Sequence, residues 1–212
     1  AVIIDPILPP PVARMAFFRK KNVANASSRA ALPPQLANIL RESWWLLLVA
    51  AVVYLVLALF TFHPGDPGWS HSATEARTHN RGGTFGAYLA DVLLYLFGLS
   101  AWWWVVLLGM FVWWGIRKFN APDEHKQHPL FIALGGFSFL LLASASLEAL
   151  RFYSMEAALP LAPGGMLGIE LGRVLSTQLG YTGSTLFLLA AMAVGWSIFS
   201  GMSWLWAFEK LG

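Results

Sequence analysis

A chain of 212 residues that is 57% hydrophobic and 12% charged is not composed like a soluble domain, where about 25% of residues carry charge. Its net charge of +3 comes from lysines and arginines near the apolar runs, which suits the inner face of a membrane better than a nucleic-acid groove. Cysteine is absent, which excludes disulfides, thiolate catalysis and cysteine-based zinc sites.

Residues 1–43 are rich in Pro, Ala, Asn and Ser and carry Arg14, Arg19, Lys20, Lys21, Arg29 and Arg41. Pro9, Pro10, Pro11, Pro33 and Pro34 oppose helix formation, so a basic, mostly disordered cytoplasmic tail is expected. Its positive charge reads as a topology signal rather than as a lipid or DNA contact. No cleaved signal peptide is recognisable, because the first apolar run starts after residue 43 and is full length. The chain opens on Ala, and Met15 is a candidate initiator.

The first span is expected over 44–62, an uncharged run close to the ~20 residues needed to cross about 30 Å of hydrocarbon. Trp44 and Trp45 stand at its start, at headgroup level. An outer loop over 63–87 follows. Pro64, Gly65, Pro67 and Gly68 forbid a helix at its start, so it must be ordered, non-helical and outside the hydrocarbon. His63, His71 and His79 are spaced eight apart there with no carboxylate at a recognisable ligand spacing, and read as solvated residues.

The apolar run 84–116, interrupted only by Asp91, would extend about 50 Å as one helix, too long for a vertical crossing. The span proper is placed at 88–116. Either the helix tilts and its first turns project into the outer interface, or a short surface helix precedes the span. Asp91 must stay near water or face protein. Trp113, Trp114, Arg117 and Lys118 mark the inner exit, before an inner loop over 117–129. Glu124, His125 and His128 in that loop read as a solvated turn, not as metal ligands.

The third span, 130–147, carries Gly135, Gly136, Ser138, Ala143, Ser144, Ala145 and Ser146, small enough for close helix approach. Glu148 and Arg151 read as an exposed i, i+3 pair worth little. In the second outer loop, 148–183, Leu167, Leu171, Val174 and Leu175 recur at helical spacing, which predicts a short interfacial amphipathic helix. Its several glycines mean that docking must order it. The fourth span is expected over 184–206, with Ala193, Ser197 and Gly201 as a small-residue contact line and Trp204 and Trp206 at its far end.

With the N-terminus inside, ten lysines and arginines fall on inner segments and four, Arg77, Arg81, Arg151 and Arg173, on outer ones. Both termini are therefore expected in the cytoplasm. The fold predicted is an all-α integral membrane protein: a four-transmembrane-helix bundle over 44–212, with ordered outer loops and an interfacial helix.

Two runs carry a more specific signal. Phe62-x-Pro64-x-Asp66-Pro67-x-Trp69-Ser70 and Asn80-x-Gly82-Gly83-x-x-Gly86-Ala87-x-Leu89-Ala90-Asp91 resemble the outer loop of FtsK-type DNA translocases. Ser203-Trp204 and Glu209-Lys210-Leu211-Gly212 are similar to the close of that family's four-span N-terminal domain in its proteobacterial members. The resemblance runs in order from Trp44 to Gly212 and leaves out the tail.

The resemblance implies a bacterial inner-membrane protein at the division septum, hexameric and in contact with other divisome proteins, serving cell division and chromosome segregation. In that family a distant C-terminal motor pumps DNA with ATP. No Gly-x-x-x-x-Gly-Lys-Ser/Thr phosphate loop occurs in this sequence, so the chain is expected to be the non-enzymatic anchor part alone. No cofactor is expected in it; ATP, Mg and DNA would engage only the motor. Asp66, Pro67, Trp69, Asn80, Gly82, Gly83 and Asp91 are the candidates for ordering the outer loop or meeting partners. The alternative is a small transporter or channel, which needs ionisable groups along a membrane path, and only Asp91 qualifies.

Overall fold

The computed structural model describes residues 34–72, 77–120, 130–152, 159–202 and 209. Its elements are α1 (Pro34–Phe60), α2 (Gly83–Phe97), a 3-10 turn (Gly98–Trp102), α3 (Trp103–Asn120), α4 (Leu130–Arg151) and α5 (Gly165–Ser200). Among the described residues there is no strand. Four helical stretches among them are long and apolar enough to cross a membrane: Glu42–Phe60, Gly83–Ile116, Leu130–Arg151 and Gly165–Ser200. The chain is an all-α integral membrane protein. The tail before residue 34, most of the inner loop with its Glu124, His125 and His128, and Trp204 and Trp206 lie outside the described residues.

The chain divides into two units, Ala1–Trp44 and Trp45–Gly212. In the first, the described residues are helical from Pro34. Pro34 therefore does not oppose this helix, and the reading of 34–43 as disordered tail is corrected. Proline in the first turn gives up only an amide that has no helical acceptor, and its fixed φ suits the helix.

In the second unit, the long run after the first loop is broken rather than tilted. Gly98 takes φ 61° and the chain tightens into the 3-10 turn before α3 begins. A Cβ on Gly98 would overlap the backbone of Gly164 and Gly165, so side-chain space and backbone angle both demand glycine. α2 does not lie free on a surface. Ala90 and Leu94 bury against Leu55, Ala58 and Leu59 of α1. Further along, Leu107 of α3 joins Phe137, Leu140 and Leu141 of α4 and Phe199 of α5. Trp104 meets Phe137 edge-on at 5.3 Å.

α4 runs on to Arg151, past its expected end at residue 147. α5 is interrupted at Gly180 (φ 68°, ψ 172°). Before it, Gly168 lies against Ala145 and Ser146, and Gly172 against Leu150, so this limb climbs alongside α4. Beyond it Arg151 bonds Thr185, Gly195 lies against Leu140, and Phe199 against Gly136, so the second limb descends antiparallel to α4. The expected interfacial helix is thus the first limb of a helical hairpin. Its buried face is Gly165, Gly168 and Gly172, while Leu171 and Val174 are exposed. Lipid tails are as apolar as leucine, so close approach at glycine, not leucine burial, holds such limbs together.

Within the single chain, the last span packs through another line than Ala193, Ser197 and Gly201. The buried ridge is Ser184, Leu188, Ala191, Gly195 and Phe199. Ala193 and Ser197 are half-buried and Gly201 is exposed. Ser197 and Gly201 end the helix instead. Gly201 is its left-handed C-cap, its amide bonds the Ser197 carbonyl, and the Ser197 hydroxyl donates to Met202 O at 2.8 Å.

Candidate functional site

The loop between α1 and α2 is held by two carboxylates. Asp66 is 3% exposed. Its Oδ1 accepts the His79 amide at 2.6 Å and its Oδ2 the Asn80 amide at 2.8 Å, closing the loop end to end. Such charge-assisted bonds are worth roughly 1.5–3 kcal/mol each. Asn80 extends the tie. Its Nδ2 donates to Ala58 O at 2.8 Å, and its Oδ1 receives the Gly82 amide two residues on, an Asx turn. Gly83 N–H bonds Asn80 O at 2.9 Å as α2 begins, and Tyr54 Oη donates to Gly82 O at 2.8 Å. The Thr61 hydroxyl donates to Leu57 O and accepts the Arg81 amide.

Asp91 is the second anchor. It is 1% exposed, on the buried face of α2 a little over two turns in. Oδ2 accepts the Ser70 amide and Oδ1 the Ser70 hydroxyl, both at 2.7 Å. His71 Nδ1 lies 3.5 Å from Oδ1 and 2.9 Å from Ser70 Oγ. Gly68 runs so close that a Cβ there would sit 2.7 Å from the Asp91 carboxylate. The loop thus folds down onto Asp91, which is how a carboxylate in an apolar run is satisfied. Pro67 is half-buried, whereas Trp69 is 64% exposed and meets Tyr95 edge-on at 5.5 Å.

The histidines are not all remote from a carboxylate, as their spacing suggests. His63, Asp66 and His79 converge, each offering a ligand atom within 4.8 Å of the others. The thirteen positions between Asp66 and His79 match no helical or motif spacing, so only the closed loop reveals the cluster.

A further polar node was not anticipated. Glu148 forms no exposed pair with Arg151; it reaches the 3-10 turn instead. Its Oε1 accepts the Ser100 hydroxyl at 2.5 Å, and its Oε2 the amides of Ser100 at 3.1 Å and Gly164 at 3.2 Å. Ser144 Oγ lies 2.6 Å from Ser100 Oγ. Arg151 turns the other way, with Nε to Thr185 Oγ1 at 3.0 Å and its guanidinium 4.4 Å over the Tyr181 ring. The available signal was Ser144, one turn before Glu148 on the same helix face.

Among the described residues, these polar clusters bind the protein to itself. The family profile described as the 4TM region of DNA translocase FtsK/SpoIIIE matches residues 37–212. DNA translocase FtsK 2 of Ralstonia nicotianae is 41% identical over 86% of this chain and 24% of its own length. DNA translocase FtsK 1 of Neisseria meningitidis serogroup A is 35% identical over 87% of this chain and 23% of its own. DNA translocase FtsK of Pseudomonas aeruginosa is 34% identical over 91% of this chain and 24% of its own. The chain therefore spans about a quarter of the length of these relatives. No solved structure matches.

Proposed function

The chain belongs to the family of the four-span membrane region of FtsK/SpoIIIE DNA translocases, and we propose that it anchors such a translocase and presents it to division partners. Its relatives carry the name DNA translocase; pumping DNA with ATP would be the work of a motor outside this chain. Both termini would face the cytoplasm, the protein would sit in the inner membrane at the septum, and copies would assemble, as a hexamer by family resemblance. Ala193 and Ser197, half-buried beside the internal ridge, are then candidates for contact between copies.

The observation that supports a partner-binding role is the loop held by Asp66 and Asp91. A connection tied by five hydrogen bonds to two buried carboxylates and to Asn80 is preorganised, which cuts the ordering cost of binding. Trp69 on the loop and Phe85 at the start of α2 are exposed aromatics, the residue type that anchors interfaces.

A transporter reading needs a chain of ionisable groups through the membrane. Asp91 and Glu148 are instead satisfied locally, by Ser70 and by Ser100 with Gly164.

The test is a full-length protein carrying Asp66→Ala and Asp91→Ala, tracked by fluorescence in dividing cells. Normal membrane insertion with lost septal recruitment is expected; full recruitment would remove the loop as the docking element. Single cysteines introduced beside Lys118 should stay closed to reagents from the periplasm, and labelling there would overturn the orientation.

A further inference from the structure

His63, Asp66 and His79 do more than order the loop: the geometry points to a divalent transition-metal site, of the kind that takes Zn2+, at the loop's closure. Three observations carry this. First, the donor set is two imidazoles and a carboxylate, each with an atom within 4.8 Å of the others. Imidazole nitrogen selects zinc, copper or nickel over the oxygen-seeking calcium and magnesium.

Second, part of the polygon already has the right size. Asp66 Oδ1 and His79 Nδ1 are 3.4 Å apart. Metal bonds of about 2.1 Å at a tetrahedral angle give an edge of about 3.4 Å. The two rings are 4.7 Å apart between centroids and inclined at 38°, side by side rather than on opposite walls. The longest separation must shorten by about 1.4 Å to reach that edge. His79 is 46% exposed, and a side chain at the surface can make a shift of that size.

Third, the carboxylate is held as metal-ligating carboxylates are. Amides of His79 and Asn80 each take one lone pair of Asp66, and Asn80 is itself fixed by its bond to Ala58 O. A carboxylate has about four acceptor positions, so two remain for an ion. Such outer partners orient a ligand and strengthen it. His63 Nδ1 accepts the Gly65 amide at 3.2 Å, a long bond that ligation through that nitrogen would displace. Three protein ligands and an exposed edge leave the fourth position to water. The ion would staple residue 63 to residue 79 and lock the loop shut.

The alternative is a loop closed by its own hydrogen bonds, with no ion. The test separates the two. The purified chain in nanodiscs, stripped with a chelator, is titrated with Zn2+ against a chromogenic competitor at pH 7.5, alongside His63→Ala, His79→Ala and His71→Ala. The expected result is one site per chain whose affinity falls at least tenfold in His63→Ala and in His79→Ala and is unchanged in His71→Ala. Zn2+ should also slow proteolysis of the loop in the parent chain and in His71→Ala but not in His79→Ala, with metal-free cleavage of α4 equally slow in all of them, which an unfolded variant would not show. No saturable binding below about 100 micromolar Zn2+, or equal affinity in all four chains, would overturn the site and leave a loop closed by hydrogen bonds alone.

Discussion

Ser100 and Glu148, 48 positions apart, are joined twice: the Ser100 amide and hydroxyl both donate to the Glu148 carboxylate. The 3-10 turn between α2 and α3 thereby gains acceptors for groups that its own geometry leaves open. The same carboxylate takes the Gly164 amide, just before α5. One side chain fastens a helix break to the start of a helical hairpin. Replacing Glu148 by Ala strands these donors in a buried setting, at roughly 1–3 kcal/mol per orphaned group. The expected outcome is lower resistance to SDS, read by tryptophan fluorescence, with Glu148→Gln retaining part of the loss. A Glu148→Ala protein as resistant as the parent would show that the node contributes nothing.

Asp66 should control the loop without touching insertion. In Asp66→Ala, hydrogen exchange at the His79 and Asn80 amides is expected to speed up at least tenfold. Exchange within α4 should stay as it is, because no α4 group bonds Asp66. Mass spectrometry of peptides from 77–86 and 130–151 makes the comparison.

Helix packing should respond on one face only. A Cβ on Gly195 would stand 2.7 Å from the Leu140 backbone nitrogen, and one on Gly136 2.6 Å from that of Phe199. Backbone cannot step aside as a side-chain tip can, so Gly195→Ala is expected to destabilise the fold by about 1–3 kcal/mol. Ser197→Leu, at a half-buried position, should cost less in the single chain. If it costs more than Gly195→Ala, the buried ridge is misassigned. A change confined to cross-linking between copies would place Ser197 at their contact.

Two glycines separate strain from overlap. Gly180 has φ 68° with nothing within 4 Å of a Cβ, whereas Gly98 has φ 61° and the Gly164 backbone in the way. Gly180→Ala should therefore lose only the backbone strain of a conformation that is nearly reserved for glycine, roughly 1–3 kcal/mol. Gly98→Ala should lose that and the packing of α5 as well. Thermal unfolding of the two variants is expected to rank Gly98→Ala clearly lower.

Several of these relationships were legible before the structure. Asp91 stands alone in an apolar run, so it had to be near water or satisfied by protein, and Ser70 satisfies it. The prolines and glycines after Phe62 required an ordered non-helical loop. Glu148 was not legible, because with Arg151 three residues on it imitates an exposed pair. Its real partners arrive from 48 and 16 positions away. The ridge buried within the bundle in the last span was not legible for a different reason. Small residues lie all round that helix, and Ala193 and Ala191 stand about 200° apart on it. Composition cannot choose between such faces without the neighbour.

Composition and length alone determined that this chain threads a membrane with helices, and roughly where. That follows because hydrocarbon sets a minimum apolar length and tolerates no unpaired backbone, and both are tests a segment passes or fails by itself. Tertiary structure decided where each buried carboxylate finds its donors, that α5 doubles back at Gly180, and that two histidines share Asp66. Those outcomes depend on distances between segments far apart in the chain, and in lipid, where apolar surface gains little by hiding, close fit and polar satisfaction select among them.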